Sequence, residues 1–145
     1  MRADENISVK YFKSCDVDAV RSFYTNTTYK KGDTVNNENE IVAVYDGNKM
    51  VAVFRLCKEN GAIVLRGFFV LAEYQKRGIG TKMLGLFENE LSDVGCYLNC
   101  RNSLNRFYEK ANFEISGDDT PDFLKERMAG YNNKELNILV RKQNV

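Results

Sequence analysis

Two glycines stand where an apolar strand gives way to a helix, in Val70-Leu71-Ala72-Glu73-Tyr74-Gln75-Lys76-Arg77-Gly78-Ile79-Gly80-Thr81. The first turn of a helix leaves N–H groups without internal partners, and the peptide dipoles place about half a positive charge there. Such donors suit a phosphate or diphosphate, and glycine at 78 and 80 removes side chains that would hold an anion off the backbone. Lys76 and Arg77 add positive charge beside them. As an ordinary surface start to a helix, Gly-x-Gly would be costly. A P-loop needs Gly-x-x-x-x-Gly-Lys-Ser/Thr, and no such run exists here. A dinucleotide fingerprint needs a third glycine at position 83, which is Met, and a βαβ unit, whereas a hairpin feeds this strand.

What the chain lacks narrows the chemistry further. It has no histidine, which excludes a His-based triad and an imidazole general base. Its cysteines are Cys15, Cys57, Cys96 and Cys100. Three residues separate Cys96 from Cys100, unlike the Cys-x-x-Cys pairs of a zinc ribbon, and both fall in an expected strand. They read as buried free thiols in a reducing cytosol; a metal site is the alternative, with no imidazole to complete it. Lys plus Arg number 21 against 20 Asp plus Glu, so no bulk-electrostatic nucleic-acid binder is indicated. Apolar stretches are too short to span a bilayer, and Met1–Lys10 has no apolar signal core, so a cytoplasmic location is expected.

The elements that must position the glycine loop follow from the hydrophobic pattern. A chain of 145 residues, 43% apolar, is expected to form a single domain over 1–145. Ile7, Val9 and Tyr11 alternate with polar neighbours, which predicts a strand. Asp16 caps an expected helix to about Thr25, with Val17, Val20 and Phe23 on one face. The polar segment Asn26–Glu40 is expected on the surface. Ile41–Tyr45 and Met50–Cys57 flank the hairpin signal Asp46-Gly47-Asn48, and Glu59-Asn60-Gly61 turns into a strand over Ala62–Leu71. From Ile79 the period becomes helical, with Ile79, Met83, Leu86, Phe87 and Leu91 on one face. A strand at Cys96–Cys100, a helix from about Ser103 to Asn112, an extended Phe113–Ile115, a helical insertion at Asp122–Met128 and a strand at Glu135–Arg141 complete a mixed α/β order.

Gln75-Lys76-Arg77-Gly78-Ile79-Gly80 also fits a third loop pattern, Gln/Arg-x-x-Gly-x-Gly/Ala, and Val70 stands five residues before Gln75. About thirty residues on comes Phe107-Tyr108-Glu109-Lys110-Ala111-Asn112-Phe113. In these two runs, and in element order from roughly Ile7 to Arg141, the chain resembles the GNAT superfamily of N-acetyltransferases. The resemblance implies an antiparallel meander followed by β-α-β-α around a splayed central sheet, with acetyl-CoA as cosubstrate and no metal. It implies that the backbone of Phe68, Phe69 and Val70 pairs with the pantetheine arm as a further strand would. Gly67 is a candidate bulge that opens the sheet there. Backbone amides of Gln75, Lys76, Arg77, Gly78, Ile79, Gly80 and Thr81 would hold the diphosphate. Asn102 is either a helix N-cap or a cofactor contact; family members often carry Asn seven residues before the tyrosine, where this chain has Arg101. Tyr108 takes the place of the family's general acid, which protonates the departing CoA thiolate. A phenol of pKa near 10 is protonated at neutral pH, and such a donor contributes about 10²–10⁴ in rate. The stripe Leu104, Phe107, Tyr108 and Ala111 reads equally as a helix face turned to the core.

One departure from the family bears on mechanism. Its members often place a carboxylate base on the strand before the loop, but Ala62–Leu71 carries only Arg66 as a charged residue. At pH 7 an amine of pKa near 10.4 is neutral in roughly one molecule in 2,500, an α-amino group in roughly one in ten. The chain is therefore expected to prefer a weakly basic amine, or to draw a base from elsewhere, such as Glu59 or a water chain. Acceptor contacts are expected among Tyr24, Asn26, Thr27, Tyr29, Lys30 and Lys31, and among Phe123, Arg127 and Tyr131; solvated loops look the same. The expected activity is acetyl transfer to an amine of a small molecule or polypeptide by direct attack in a ternary complex. A non-catalytic acyl-CoA sensor is the alternative, and a nucleotide-binding or hydride-transfer protein a third reading. Monomer and homodimer both remain open.

Overall fold

The computed structural model describes residues 6–131 and 134–143. Seven strands follow the order β1-β2-β3-β4-β5-β7-β6. They are β1 (Ile7–Phe12), β2 (Glu40–Asp46), β3 (Lys49–Glu59), β4 (Ala62–Val70), β5 (Cys96–Arg101), β6 (Glu114–Ile115) and β7 (Leu136–Arg141). The helices are α1 (Val17–Thr25), α2 (Ile79–Leu84), α3 (Asn105–Glu109) and α4 (Asp122–Tyr131). The chain divides into two compact units, Met1–Lys58 with Leu65–Met83 and Glu59–Val64 with Leu84–Val145.

In the first unit, β1 alternates half-buried Ile7, Val9 and Tyr11 with exposed Ser8 and Lys10, as its pattern predicts. It runs antiparallel to β2 from Ile7↔Asp46 to Phe12↔Ile41, and β2 runs antiparallel to β3 from Glu40↔Leu56 to Asp46↔Lys49. At the tight turn between them Gly47 takes φ 60°, which a side chain would oppose. The Asp16 carboxylate accepts from the Ala19 N–H at 3.2 Å and starts α1 where expected. Val20, Phe23 and Tyr24 then pack with Val35, Ile41, Ala43 and Val53 in one core cluster. β3 is buried continuously from Val51 to Cys57, as a central strand covered on both faces must be.

One expectation fails in this unit. The segment Asn26–Glu40 is not all surface, since Val35 and Asn39 are only 1% and 2% exposed. The reason is Arg55, fully buried on β3, which donates to Tyr29 Oη at 2.6 Å, Thr34 Oγ1 at 3.1 Å and Asn39 Oδ1 at 3.1 Å. Polar residues that read as solvated are the acceptors for that guanidinium. A buried cation draws such groups inward because leaving it unsatisfied is costly.

In the second unit, Asn60 and Gly61 both take positive φ, the turn expected before β4. β4 pairs in parallel with β5 at Val64↔Tyr97. β5 runs antiparallel to β7 from Cys96↔Arg141 to Arg101↔Leu136, and β6 adds to β7 at Glu114↔Val140 and Ile115↔Leu139. Cys96 and Cys100 are buried free thiols on β5.

The helices are shorter than their periodicity predicts. The helix opened by Ile79 stops at Leu84, and Gly85–Glu88 tightens to a 3-10 turn. Glycine at 85 weakens the α-helix, and Arg141 Nη2 takes the Phe87 carbonyl at 3.0 Å. Ile79, Met83, Phe87 and Leu91 are nonetheless all buried. The helix expected over about Ser103–Asn112 contracts to α3, preceded by a 3-10 turn at Asn102–Leu104. Its apolar stripe is correspondingly broken, with Tyr108 and Ala111 buried but Leu104 exposed. No helix among the described residues is long and apolar enough to cross a membrane.

Candidate functional site

The first unit carries the glycine loop. β4 ends where the Leu71 N–H donates to Val51 O at 2.9 Å. A 3-10 turn, Ala72–Tyr74, follows, and Gln75 Nε2 folds back to the Val70 carbonyl at 2.9 Å. Lys76 then takes φ 64° and Gly78 φ 77°, while Arg77 between them does not enter the left-handed region. Left-handed residues set among ordinary ones are the kind of backbone from which anion-binding loops are built. A Cβ on Gly78 would meet no atom within 4 Å, so the glycine answers the backbone angle rather than packing. The first helical bond beyond is Lys82 N–H to Gly78 O at 3.0 Å, so the amides from Lys76 to Thr81 lie ahead of the helix's own ladder. Buried Ile79 anchors the loop while Gln75–Gly78 stay exposed.

Charge around the loop is organised on one ring. The Arg77 guanidinium lies 4.8 Å from the Tyr74 ring centroid and the Lys49 ammonium 5.8 Å. The Tyr74 phenol donates to Asp46 Oδ2 at 2.5 Å, and that hydrogen bond, with burial second, raises its pKa. Tyr74 thus offers the Arg77 guanidinium a cation–π platform.

Upstream, Phe68, Phe69 and Val70 are half-buried on β4, with the Phe68 ring 5.1 Å from that of Phe54. Gly67 takes φ 66° within the strand, the left-handed backbone of a bulge glycine. Its carbonyl accepts from Tyr24 Oη at 2.8 Å. A Cβ there would stand 2.2 Å from that oxygen, so only glycine fits.

The second unit carries Tyr108 and Asn102. Tyr108 is 6% exposed, more deeply buried than a cleft-facing tyrosine need be, with ring centroids of Phe107 and Phe113 at 5.1 Å and 5.7 Å. Burial first, and the neighbouring Cys100 second, push its pKa well above the ordinary phenol range. Cys100 Sγ donates to Asn105 Oδ1 at 3.5 Å and Asn137 Oδ1 at 3.7 Å. Asn102 is not a side-chain cap: it begins the 3-10 turn, its N–H donates to Glu135 O at 2.7 Å, and α3 starts three residues later at Asn105, where Leu104 holds the cap position without a side-chain hydrogen bond. Glu59, expected as a possible base, pairs through Oε1 with Arg127 Nη2 at 2.7 Å, and Arg127 in turn lies 5.6 Å from the Phe123 ring centroid.

Three features escaped the sequence: Arg55 with its side-chain acceptors, the Tyr24–Gly67 bond, and the Tyr74–Asp46 platform under Arg77. The one available signal was a lone arginine inside the apolar run Met50–Cys57.

Comparison with known proteins bears on the fold and the family. A family model described as an acetyltransferase (GNAT) domain matches residues 37–115, more than half of the chain. The uncharacterized N-acetyltransferase YjcF of Bacillus subtilis (strain 168) is 29% identical over 86 residues, covering 57% of this chain and 61% of that protein, less than two thirds of its length. The ribosomal-protein-S18-alanine N-acetyltransferase of Escherichia coli superposes with a TM-score of 0.65 at 14% identity, over 96% of this chain and 95% of its own. N-acetylglutamate synthase from Neisseria gonorrhoeae, in complex with coenzyme A and N-acetyl-glutamate, gives 0.61 at 14% identity, over 95% of this chain and 36% of that one. These likenesses establish the mixed α/β fold. The family model, read with the loop it encloses, establishes the lineage: the chain belongs to the GNAT acetyltransferase family.

Proposed function

We propose that the protein transfers an acetyl group from acetyl-CoA to the amine of an acceptor by direct attack. The observation that carries the reading is the backbone of the loop, left-handed at Lys76 and Gly78, with the amides up to Thr81 ahead of the first helical bond, Lys82 N–H to Gly78 O. In this reading Gln75, Lys76, Arg77, Gly78, Ile79, Gly80 and Thr81 bind the diphosphate, and the main chain of Phe68, Phe69 and Val70 binds the pantetheine amides. Asn102 is a further contact. The amine nitrogen forms a bond to the thioester carbonyl carbon, and the carbon–sulfur bond breaks. Tyr108 gives its phenolic proton to the departing sulfur; burial keeps the phenol protonated throughout the neutral range and at the same time makes it a weaker acid than a free phenol. The amine's surplus proton leaves to water or to a base.

Thermal shift with acetyl-CoA, CoA, ATP and NAD tests the binding half. A ligand at a hundredfold its Kd adds about 2.7 kcal/mol of stability, and the two CoA species should give the largest shifts. A larger shift with NAD would overturn the reading. Thiol release with a panel of amines then tests turnover. One observation favours a second reading, an acyl-CoA sensor: β4 has no carboxylate, and Glu59 is committed to Arg127. Tight CoA binding with no thiol release on any amine would select it.

A further inference from the structure

Tyr24 lies on the last full turn of α1, 1% exposed, and its hydroxyl does not serve the helix. It crosses to the Gly67 carbonyl at 2.8 Å, on the residue where β4 turns left-handed. The Tyr29 ring lies beside it, 4.4 Å between centroids. Beneath both rings sits the Arg55 guanidinium, 5.5 Å from one centroid and 5.7 Å from the other, donating to Tyr29 Oη at 2.6 Å. Arg55 is 0% exposed and its acceptors are neutral oxygens. A buried guanidinium so arranged fixes the aromatic pair in one position, because moving either ring would strand a charge.

We propose that Tyr24 is a positioning residue for the acyl carrier: by holding the Gly67 carbonyl it sets the direction in which β4 presents the main-chain groups of Phe68–Val70. The geometry belongs to the protein without ligand; only its consequence rests on the acyl-CoA reading. A strand that meets an extended ligand through its backbone depends on backbone direction, and one left-handed residue redirects everything after it. Glycine at 67 leaves that direction undetermined by itself, since glycine adopts either hand readily. The phenol supplies the choice, and Tyr29 and Arg55 hold the phenol. Through Arg55 the same device ties β4 to Thr34 and Asn39, in the polar segment that follows α1.

Two measurements on Tyr24→Phe test this, one of them independent of any ligand. Hydrogen exchange on the free protein should show the amides of Phe68–Val70 opening about tenfold faster, with those of β2 unchanged. The KM for acetyl-CoA should rise about tenfold while kcat at saturation changes less than about twofold. Tyr29→Phe, which keeps the ring and removes one Arg55 acceptor, should reproduce both effects more weakly, and it carries the test should Tyr24→Phe fail to fold. Wild-type exchange and KM in these variants would overturn the proposal. So would a uniform rise in exchange across the unit, or a loss of kcat at unchanged KM. Failure of the wild-type protein to bind any CoA species would instead strike the acyl-CoA reading, leaving the exchange comparison to decide what Tyr24 holds.

Discussion

Each of the two units buries an arginine, and they satisfy it in opposite ways. Arg55, on β3, meets side chains: Tyr29, Thr34 and Asn39. Arg141, at the end of β7 and 3% exposed, meets main chain. It donates to the carbonyls of Ala111 at 3.0 Å, Ser92 at 3.2 Å, Val94 at 2.7 Å and Phe87 at 3.0 Å, with its guanidinium 4.9 Å from the Phe87 ring centroid. Those carbonyls sit where the chain leaves regular structure, after α2 and after α3. Arg141 therefore replaces a helix's own donors, whereas Arg55 gathers a polar segment around an aromatic pair. The proposed chemistry is divided the other way round. In the first unit it is main-chain amides on an exposed loop, and in the second it is one buried phenol.

The difference predicts unequal costs of removal. Main-chain carbonyls cannot turn to other partners, so Arg141→Leu should lose roughly 4 kcal/mol, read from the urea midpoint, because several buried acceptors lose their donor together. Next comes Tyr108→Phe, with thiol release expected to fall about 100-fold. Unchanged turnover would remove Tyr108 from the chemistry and leave it a core residue. Arg55→Met should cost about 2 kcal/mol, since side-chain acceptors can rotate toward water or one another. If it costs as much as Arg141→Leu, the contrast between the units fails. Gly78→Ala introduces no clash, only a side chain at φ 77°, and should weaken acetyl-CoA binding about fivefold by calorimetry.

A pH series sharpens the same contrast more gently. Burial pushes Cys100 from 9.0 up to about 11 and Cys96 from 9.0 up to about 12. Both shifts favour the protonated thiol in the folded state. The stabilisation is complete below pH 9, declines above it as the unfolded chain ionises, and is gone once the folded thiols ionise near 11 and 12. Each thiol should contribute up to about 1.4 kcal/mol per pH unit within that window, and Cys96→Ala should flatten the fall. An equally steep decline in that variant would exclude Cys96 as a cause.

Much of the fold was legible because local rules agreed with global ones. The alternation of β1, the Asp16 cap, Gly47 at one turn and Asn60-Gly61 at another each require only neighbouring residues. The glycine loop was legible for the same reason, as its left-handed backbone is something that sequence constrains directly. The lengths of α2 and α3 were not, because donors and acceptors distant in the chain decide where a helix stops. Asn102 shows the limit well: a favoured cap residue stands in the right place by type, but the 3-10 turn starts the helix after it.

By itself, then, the sequence determined the order of elements, the family, and the positions at which a backbone must be free of side chains. Tertiary structure alone decided which polar residues are interior, as with Asn39, Arg55 and Arg141, and which phenol meets which carbonyl. The physical reason is the range of the forces involved. Turn and cap preferences act over three or four residues, whereas a buried guanidinium or hydroxyl is satisfied by whatever the fold carries to it, 43 residues away for Tyr24 and Gly67.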